Sequence, residues 1–190
     1  LILIWPGNVV AARAAKDATP TIPVVLMAVP DAVEHGLVNT LARPGGNISG
    51  TSVPMYDLIV KQLQVLKEIN PRLKTIVVVQ GDLDQGERQT VDRLRGAAAA
   101  LSFDAGISVT DVRSVENALA AVPAGVSAVL ALGNIPIVIH RRIRVLSPER
   151  KVPLVMPWRP WEGGGTGTLI AYGPSFPAIA ERTAALIDRI

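Results

Sequence analysis

Short, almost purely apolar runs recur along this chain, and segments with helical spacing separate them. The helical spacing is clearest for Tyr56, Ile59, Leu63, Leu66 and Ile69. Apolar runs without alternation are typical of strands that are covered on both faces of a parallel sheet. The regular succession of predicted strands and helices therefore predicts an α/β fold of doubly wound, Rossmann-like parallel sheets with crossover helices. The predicted strands include Leu1–Trp5, Val24–Ala28, Thr75–Gln80, Ser127–Leu132, Val152–Met156 and Thr168–Tyr172.

The composition narrows the class of protein. Of the 190 residues, 49% are hydrophobic and 18% are charged, which argues against a disordered chain. No uninterrupted apolar run reaches the roughly 18 residues that a membrane-spanning helix needs. The net charge of +3 is a mild basic excess, and a solvated helix face explains Arg141, Arg142 and Arg144 better than a nucleic-acid surface does. The absence of cysteine excludes disulfides, thiolate metal sites and cysteine nucleophiles.

Motifs for catalysis are not apparent in the sequence. The run Gly163–Gly165 precedes a predicted strand and lacks the spacing of phosphate-binding or dinucleotide-binding loops. His35 and His140 have no recognisable nucleophile partner, and we interpret them as packed or surface side chains. Neither paired carboxylates nor metal ligands occur at a useful spacing. The sequence therefore favours a binding protein that is not an enzyme and uses no metal or cofactor.

Side chains suited to binding a small organic molecule stand at the ends of the predicted strands. Tryptophan and tyrosine combine a flat apolar ring with a hydrogen-bonding tip, and an arginine can hold a carboxylate with two parallel bonds. Asp31 would bond a ligand ammonium group or cap a helix predicted at Ala32–Leu41, and the two roles are compatible. Gln80 would either contact ligand or be a plain loop residue. The candidates from strand ends are Trp5, Asp31, Gln80, Asn134, Trp158, Arg159 and Tyr172.

The segment Val24–Pro54 is the part of the chain around which we expect the fold to be organised. It predicts a buried strand, a polar elbow at Val29–Asp31, a helix at Ala32–Leu41 and a tight glycine turn. The elbow would lie beyond the carboxyl end of its strand, where ligands bind in open parallel sheets. The extended segment Asn47–Val53 is interpreted as a crossover to a second lobe.

The same segment carries a family resemblance. Its pattern AVPDAVEHGLV…LARPGGNISGTS resembles the signature of the solute-binding proteins of ABC transporters, in the branch that includes tryptophan- and tyrosine-binding proteins. TIPVV before it and GTLIAYGPSFPAIAERTAALIDRI after it agree in the same order, so the resemblance spans nearly the whole chain. The core PGGN-x-[ST]-G is fairly specific for the family but does not identify a ligand.

This resemblance implies a fold like that of type I periplasmic binding proteins. Lobe one would comprise Leu1–Thr51 with Thr166–Ile190, and lobe two Ser52–Gly165. An amino acid, aromatic or not, or a related carboxylate would bind in the cleft between the lobes without being chemically changed. Family members carry a small-hydroxyl turn near Pro6 whose following amide groups can hold a ligand carboxylate, which adds Gly7 and Asn8 to the candidate residues. Trp5 and Gly7 replace the usual small polar residues here, and an ordinary turn from strand to helix stays open as the alternative.

The resemblance also implies a partner and a location. Closure of the lobes would signal to an ABC permease in the membrane, and the protein would be periplasmic or otherwise extracytoplasmic. Compared with the family, the chain is expected to lack an N-terminal portion and its leader, which would leave the edge of Leu1–Trp5 unpaired. We therefore expect weak binding or a dimer through that edge. Two alternatives stay open: a doubly wound enzyme acting on a small carboxylate or nucleotide, and a ligand-sensing module of the same fold.

Overall fold

A computed structural model of the chain describes residues 1–5, 8–79, 85–109, 112–121, 127–132, 137–156 and 168–190. The strands are β1 (Ile2–Ile4), β2 (Val24–Pro30), β3 (Ile48–Val53), β4 (Thr75–Val79), β5 (Asp104–Val109), β6 (Ser127–Ala131), β7 (Leu154–Met156) and β8 (Thr168–Ala171). The helices are α1 (Val9–Ala18), α2 (Met55–Ile69), α3 (Gln85–Ala100), α4 (Val112–Ala121), α5 (Ile137–Glu149) and α6 (Phe176–Ile187). Two compact units contain them. The first comprises Leu1–Met55, Asp84–Gly86 and Pro174–Ile190, and the second comprises Tyr56–Leu83 and Glu87–Gly173.

The first unit is built on a three-stranded parallel sheet in the order β1-β2-β3. Its central strand has six consecutive buried residues, Val24–Val29, because α1 and α6 both pack against it. The core of this unit joins Leu26 on β2 to Ile4 on β1 and Ala12 on α1. Burial on both faces explains why the sequence of β2 shows no polar alternation.

The second unit contains a five-stranded parallel sheet in the order β5-β4-β6-β7-β8. Its inner strands β4, β6 and β7 are mostly apolar, and β6 and β7 are wholly buried. Val77 and Val129 pack with Val115 of α4 and Ile143 of α5 in a single apolar cluster. The strand order reverses between β4 and β6, and such switch points are where open α/β sheets bind ligands. The prediction of parallel α/β sheets is therefore confirmed.

Three expectations about individual segments were wrong. The segment Ile48–Val53 is strand β3 of the first sheet and not a crossover leading away from it. The predicted helix Ala32–Leu41 is a set of turns, because Gly36 takes a left-handed φ of 65° and the amide of Leu37 then bonds back to the carbonyl of Ala32. Strand β8 pairs with β7 in the second sheet, although the sequence predicted its return to the first.

Two further observations concern the helices. His140 on α5 is buried rather than at the surface, whereas Arg142 is solvated and forms an ion pair with Glu116 at 2.7 Å. Within the described part of the chain, no helix combines the length and apolar character that crossing a bilayer would require.

Candidate ligand-binding site

The polar elbow at the end of β2 is an irregular backbone held by hydroxyl groups. Ala28 and Asp31 take positive φ values of 55° and 39°, and the register with β3 shifts between Leu26 and Val29. The displaced amide of Ala28 donates to Oγ1 of Thr51 at 3.0 Å, and the amide of Ala32 donates to Oγ of Ser52 at the same distance. Such non-glycine outliers cost about 1–3 kcal/mol each and cluster at ligand clamps and switches.

Asp31 has a capping role, but for a different helix than expected. Its Oδ1 accepts a bond from the amide of Met55, the first residue of α2, at 3.1 Å. Its own amide donates to the carbonyl of Val53 at 2.9 Å, which ties the elbow to the end of β3. A carboxylate beside a helix N-terminus is stabilised by the unpaired amides there. Whether Asp31 also bonds a ligand ammonium group stays a prediction.

The start of α1 lies directly after β1, as the sequence predicted. Oδ1 of Asn8 accepts from the amide of Ala11 at 2.8 Å, so the Asn8 side chain caps its own helix. Trp5 follows β1 with 52% of its surface exposed, which leaves its ring accessible at the carboxyl end of the sheet. Gly7, the third candidate at this turn, lies outside the described residues.

Helix α1 also fixes the turn that follows the elbow. Arg13 donates to the carbonyl of His35 at 2.9 Å, and Lys16 donates to the carbonyl of Gly36. Two cations thus satisfy the carbonyl groups that a single helical turn leaves without intrahelical partners. Within one unit, β3 thus supports the elbow and α1 supports the turn that follows it.

The candidates of the second unit are described only in part. Gln80 and Asn134 follow β4 and β6 in the chain, and Trp158 and Arg159 follow β7, but all four lie outside the described residues. Tyr172 follows β8, with 46% of its surface exposed. Its amide donates to the carbonyl of Met156 at 3.3 Å, and its carbonyl accepts from Nε2 of Gln62 at 2.6 Å.

Gln62 was not predicted from the sequence. It lies on the buried face of α2 with Ile59, Leu63 and Leu66, all of which are fully buried. The sequence did carry a signal for it, because Gln62 is an amide side chain within an apolar helical stripe. A buried polar side chain of this kind must find hydrogen-bond partners. Among the described residues, no group of three or more His, Asp or Glu side chains is arranged to hold a metal ion.

The residues of the PGGN-x-[ST]-G core have structural roles in the first unit. Asn47 donates from Nδ2 to the carbonyls of Thr19 and Ile22 at 2.9 and 2.6 Å, which closes the connection before β2. Gly50 has a φ of 131° and faces the backbone of Leu26, where a Cβ would stand 2.5 Å from the amide nitrogen. These contacts explain why the motif indicates the fold and does not identify the ligand.

Comparison with known proteins places the chain in a family. The profile of the ABC transporter substrate binding protein family matches residues 2–190, so the chain belongs to this family. A curated relative, the tyrosine-binding protein of Clostridioides difficile strain R20291, is 32% identical over 162 residues, which is 80% of this chain and 44% of that protein. The chain thus spans less than half the length of this relative.

Solved structures agree on the fold. A structure titled as an ABC domain in complex with L-Trp from Streptococcus pneumonia is 21% identical, with a TM-score of 0.72 over 94% of this chain and 62% of that one. A conserved domain protein from Vibrio cholerae is 24% identical, with a TM-score of 0.73 over 95% and 60% of the two chains. The ligand-free, open structure of a substrate binding protein with adhesive properties from Clostridium difficile is 25% identical, with a TM-score of 0.62 over 95% and 61%.

Proposed function

We propose that this chain is the solute-binding part of an ABC-type uptake system and that it binds an amino acid, with L-tyrosine and L-tryptophan as the first candidates. The observation that carries the proposal is the family match over residues 2–190, together with a 32% identical relative named for tyrosine binding. A complex with L-Trp in a protein of the same fold supports the choice of an aromatic ligand.

The two structural units correspond in this proposal to the two lobes of a binding protein. Each unit ends its parallel strands with residues suited to an aromatic amino acid: Trp5 and Asp31 in the first, and Tyr172 in the second. A carboxylate such as Asp31 suits the ligand ammonium group, and the aromatic rings suit its side chain. Gln80, Asn134, Trp158, Arg159, Gly7 and Asn8 complete the proposed set.

The proposed partner is a membrane permease, and the proposed location is outside the cytoplasm. Both follow from membership of the family, whose members deliver solutes to ABC transporters. We further propose that the ligand is released unchanged. Incubation of the protein with L-tyrosine and with L-tryptophan, followed by mass spectrometry, should recover each compound at its original mass and in its original amount; a new product would favour an enzyme.

A ligand screen tests the proposal directly. Thermal unfolding is followed with each of the twenty amino acids over a range of concentrations, with glycerol as a matched uncharged additive. A ligand that binds only the folded state stabilises it by about 2.7 kcal/mol at a hundredfold excess over its Kd. We expect saturable stabilisation by at least one aromatic amino acid, which isothermal titration calorimetry should reproduce. No response to any amino acid up to millimolar concentrations would contradict the proposal.

A further inference from the structure

Gln62 connects the carboxyl ends of two neighbouring strands of the second sheet. Its side chain is completely buried, and Nε2 donates to the carbonyl of Met156 at 3.1 Å and to the carbonyl of Tyr172 at 2.6 Å. Both partners are carbonyl oxygens, which only accept, so the amide nitrogen must face them. The orientation of the amide is therefore fixed by chemistry.

The other end of the same amide is its oxygen. Oε1 of Gln62 is buried and has no hydrogen-bond partner among the residues that the structure describes. A buried polar atom of this kind is destabilising, and a leucine or methionine would fill the position without it. What distinguishes glutamine from those apolar residues is its pair of donated bonds. Its role at this position therefore lies in what the two bonds hold.

Those two bonds act on Tyr172 and its neighbour strand. The amide of Tyr172 bonds Met156 and its carbonyl bonds Gln62, so both backbone groups of this residue are held. The residue nevertheless keeps 46% of its surface exposed. A fixed backbone with an accessible ring is the arrangement of a pre-organised binding residue, because less freedom is lost when a ligand packs on the ring.

We propose that Gln62 is a positioning residue for ligand binding, which acts by holding Tyr172 at the carboxyl end of β8. This inference rests on the proposed function, since it takes an aromatic amino acid as the molecule that Tyr172 contacts. Gln62 itself does not touch the ligand in this account. Its effect on affinity passes through the backbone of Tyr172.

The test compares Gln62→Met with Gln64→Met. Gln64 lies on the same helix, is partly exposed and makes none of these bonds, so it is the matched control. Affinities for L-tyrosine and L-tryptophan are measured by calorimetry. We expect Gln62→Met to raise Kd roughly three- to tenfold, the effect of having to order one side chain on binding, and Gln64→Met to leave it unchanged. Equal affinities for the wild type and Gln62→Met would overturn the proposal.

A double variant separates positioning from general structural damage. In a Tyr172→Ala background, Gln62→Met should change Kd less than about twofold, because the residue it positions has lost its ring. The same fold-loss in both backgrounds would overturn the proposal. If the wild type binds neither amino acid, the proposed function fails, and this inference fails with it.

A measurement on the wild type keeps the inference testable if Gln62→Met does not fold. Hydrogen exchange is compared with and without L-tyrosine, and again with L-tryptophan, in peptides that cover Leu154–Met156 and Leu169–Tyr172. A ligand that packs on Tyr172 should slow exchange of the Tyr172 amide at least severalfold. Unchanged exchange there under saturating ligand would show that Tyr172 is not at the site and would overturn the proposal.

Discussion

Replacement of Gly50 by alanine should strongly destabilise the first unit. Gly50 pairs with Leu26 across β2 and β3, and its φ of 131° is one that residues with a Cβ rarely adopt. The added Cβ would lie 2.5 Å from the amide nitrogen of Leu26 and closer still to its carbonyl oxygen. Backbone cannot move aside as a flexible side chain would, so the two strands must separate.

The size of the destabilisation expected for Gly50→Ala is the sum of two contributions. Backbone strain at an unfavourable φ costs about 1–3 kcal/mol. Separation of the strands forfeits one or two ladder hydrogen bonds, each with a net contribution of about 0.5–1.5 kcal/mol. We therefore expect a loss of about 1.5–6 kcal/mol in the free energy of unfolding, which is a large part of the roughly 5–15 kcal/mol of a typical domain.

Two other glycines separate the contributions. Gly36 has a φ of 65° but open space around its Cβ position, so Gly36→Ala should show the strain alone, about 1 kcal/mol. Gly96 lies in helix α3 with nothing near its Cβ position, so Gly96→Ala should stabilise by about 0.5–1 kcal/mol. Urea unfolding followed by circular dichroism measures all three variants. A Gly50→Ala variant no less stable than Gly36→Ala would refute the steric argument.

Substitutions at three further positions test individual hydrogen bonds of the fold. Asp31→Ala should lower stability by about 1 kcal/mol in thermal melts, because the cap on α2 is lost. Asp31→Asn keeps an accepting oxygen and should stay near wild type. Equal losses of stability in both variants would rule out the cap. Asn47→Ala and Asn47→Asp should each cost about 1–3 kcal/mol in urea titrations, since neither retains the two donated bonds; a neutral Asn47→Asp would contradict this. Lys67→Met should lower the free energy of unfolding by about 1–2 kcal/mol. The reason is that Nζ of Lys67 donates to the carbonyl of Leu73 at 2.8 Å and lies 4.6 Å from the centre of the Phe103 ring. Lys61→Met, at an exposed position on the same helix, is the control and should melt like wild type.

The fold class was predictable because it depends on patterns that survive in a single sequence. The apolar runs of β2, β4 and β6 are long enough to show burial on both faces, and all three are central strands of parallel sheets. The cap at Asn8 was not predicted, although a short polar side chain that directly precedes an alanine-rich helix is a signal for one.

The errors arose where side chains bond to a neighbouring backbone instead of packing in the core. Strand β3 reads ISGTSV and was predicted to be a crossover, but it pairs with β2 and its hydroxyl groups accept bonds from the elbow. The turn after Asp31 looked helical because its apolar residues have helical spacing, but Gly36 ends it after one turn. Gln62 was missed for a related reason, since its partners are carbonyls far away in the chain and not neighbouring side chains.

The bonds from the elbow to Thr51 and Ser52 have a consequence for transferring this segment among relatives. The backbone from Ala28 to Ala32 contains two left-handed residues, and its first and last amides donate to two hydroxyl groups of the adjacent strand. A chimaera that receives this loop alone would place it beside foreign side chains and let it relax to an ordinary strand end. The loop from Ala28 to Ala32 and the Thr51–Ser52 dipeptide should therefore be transferred together.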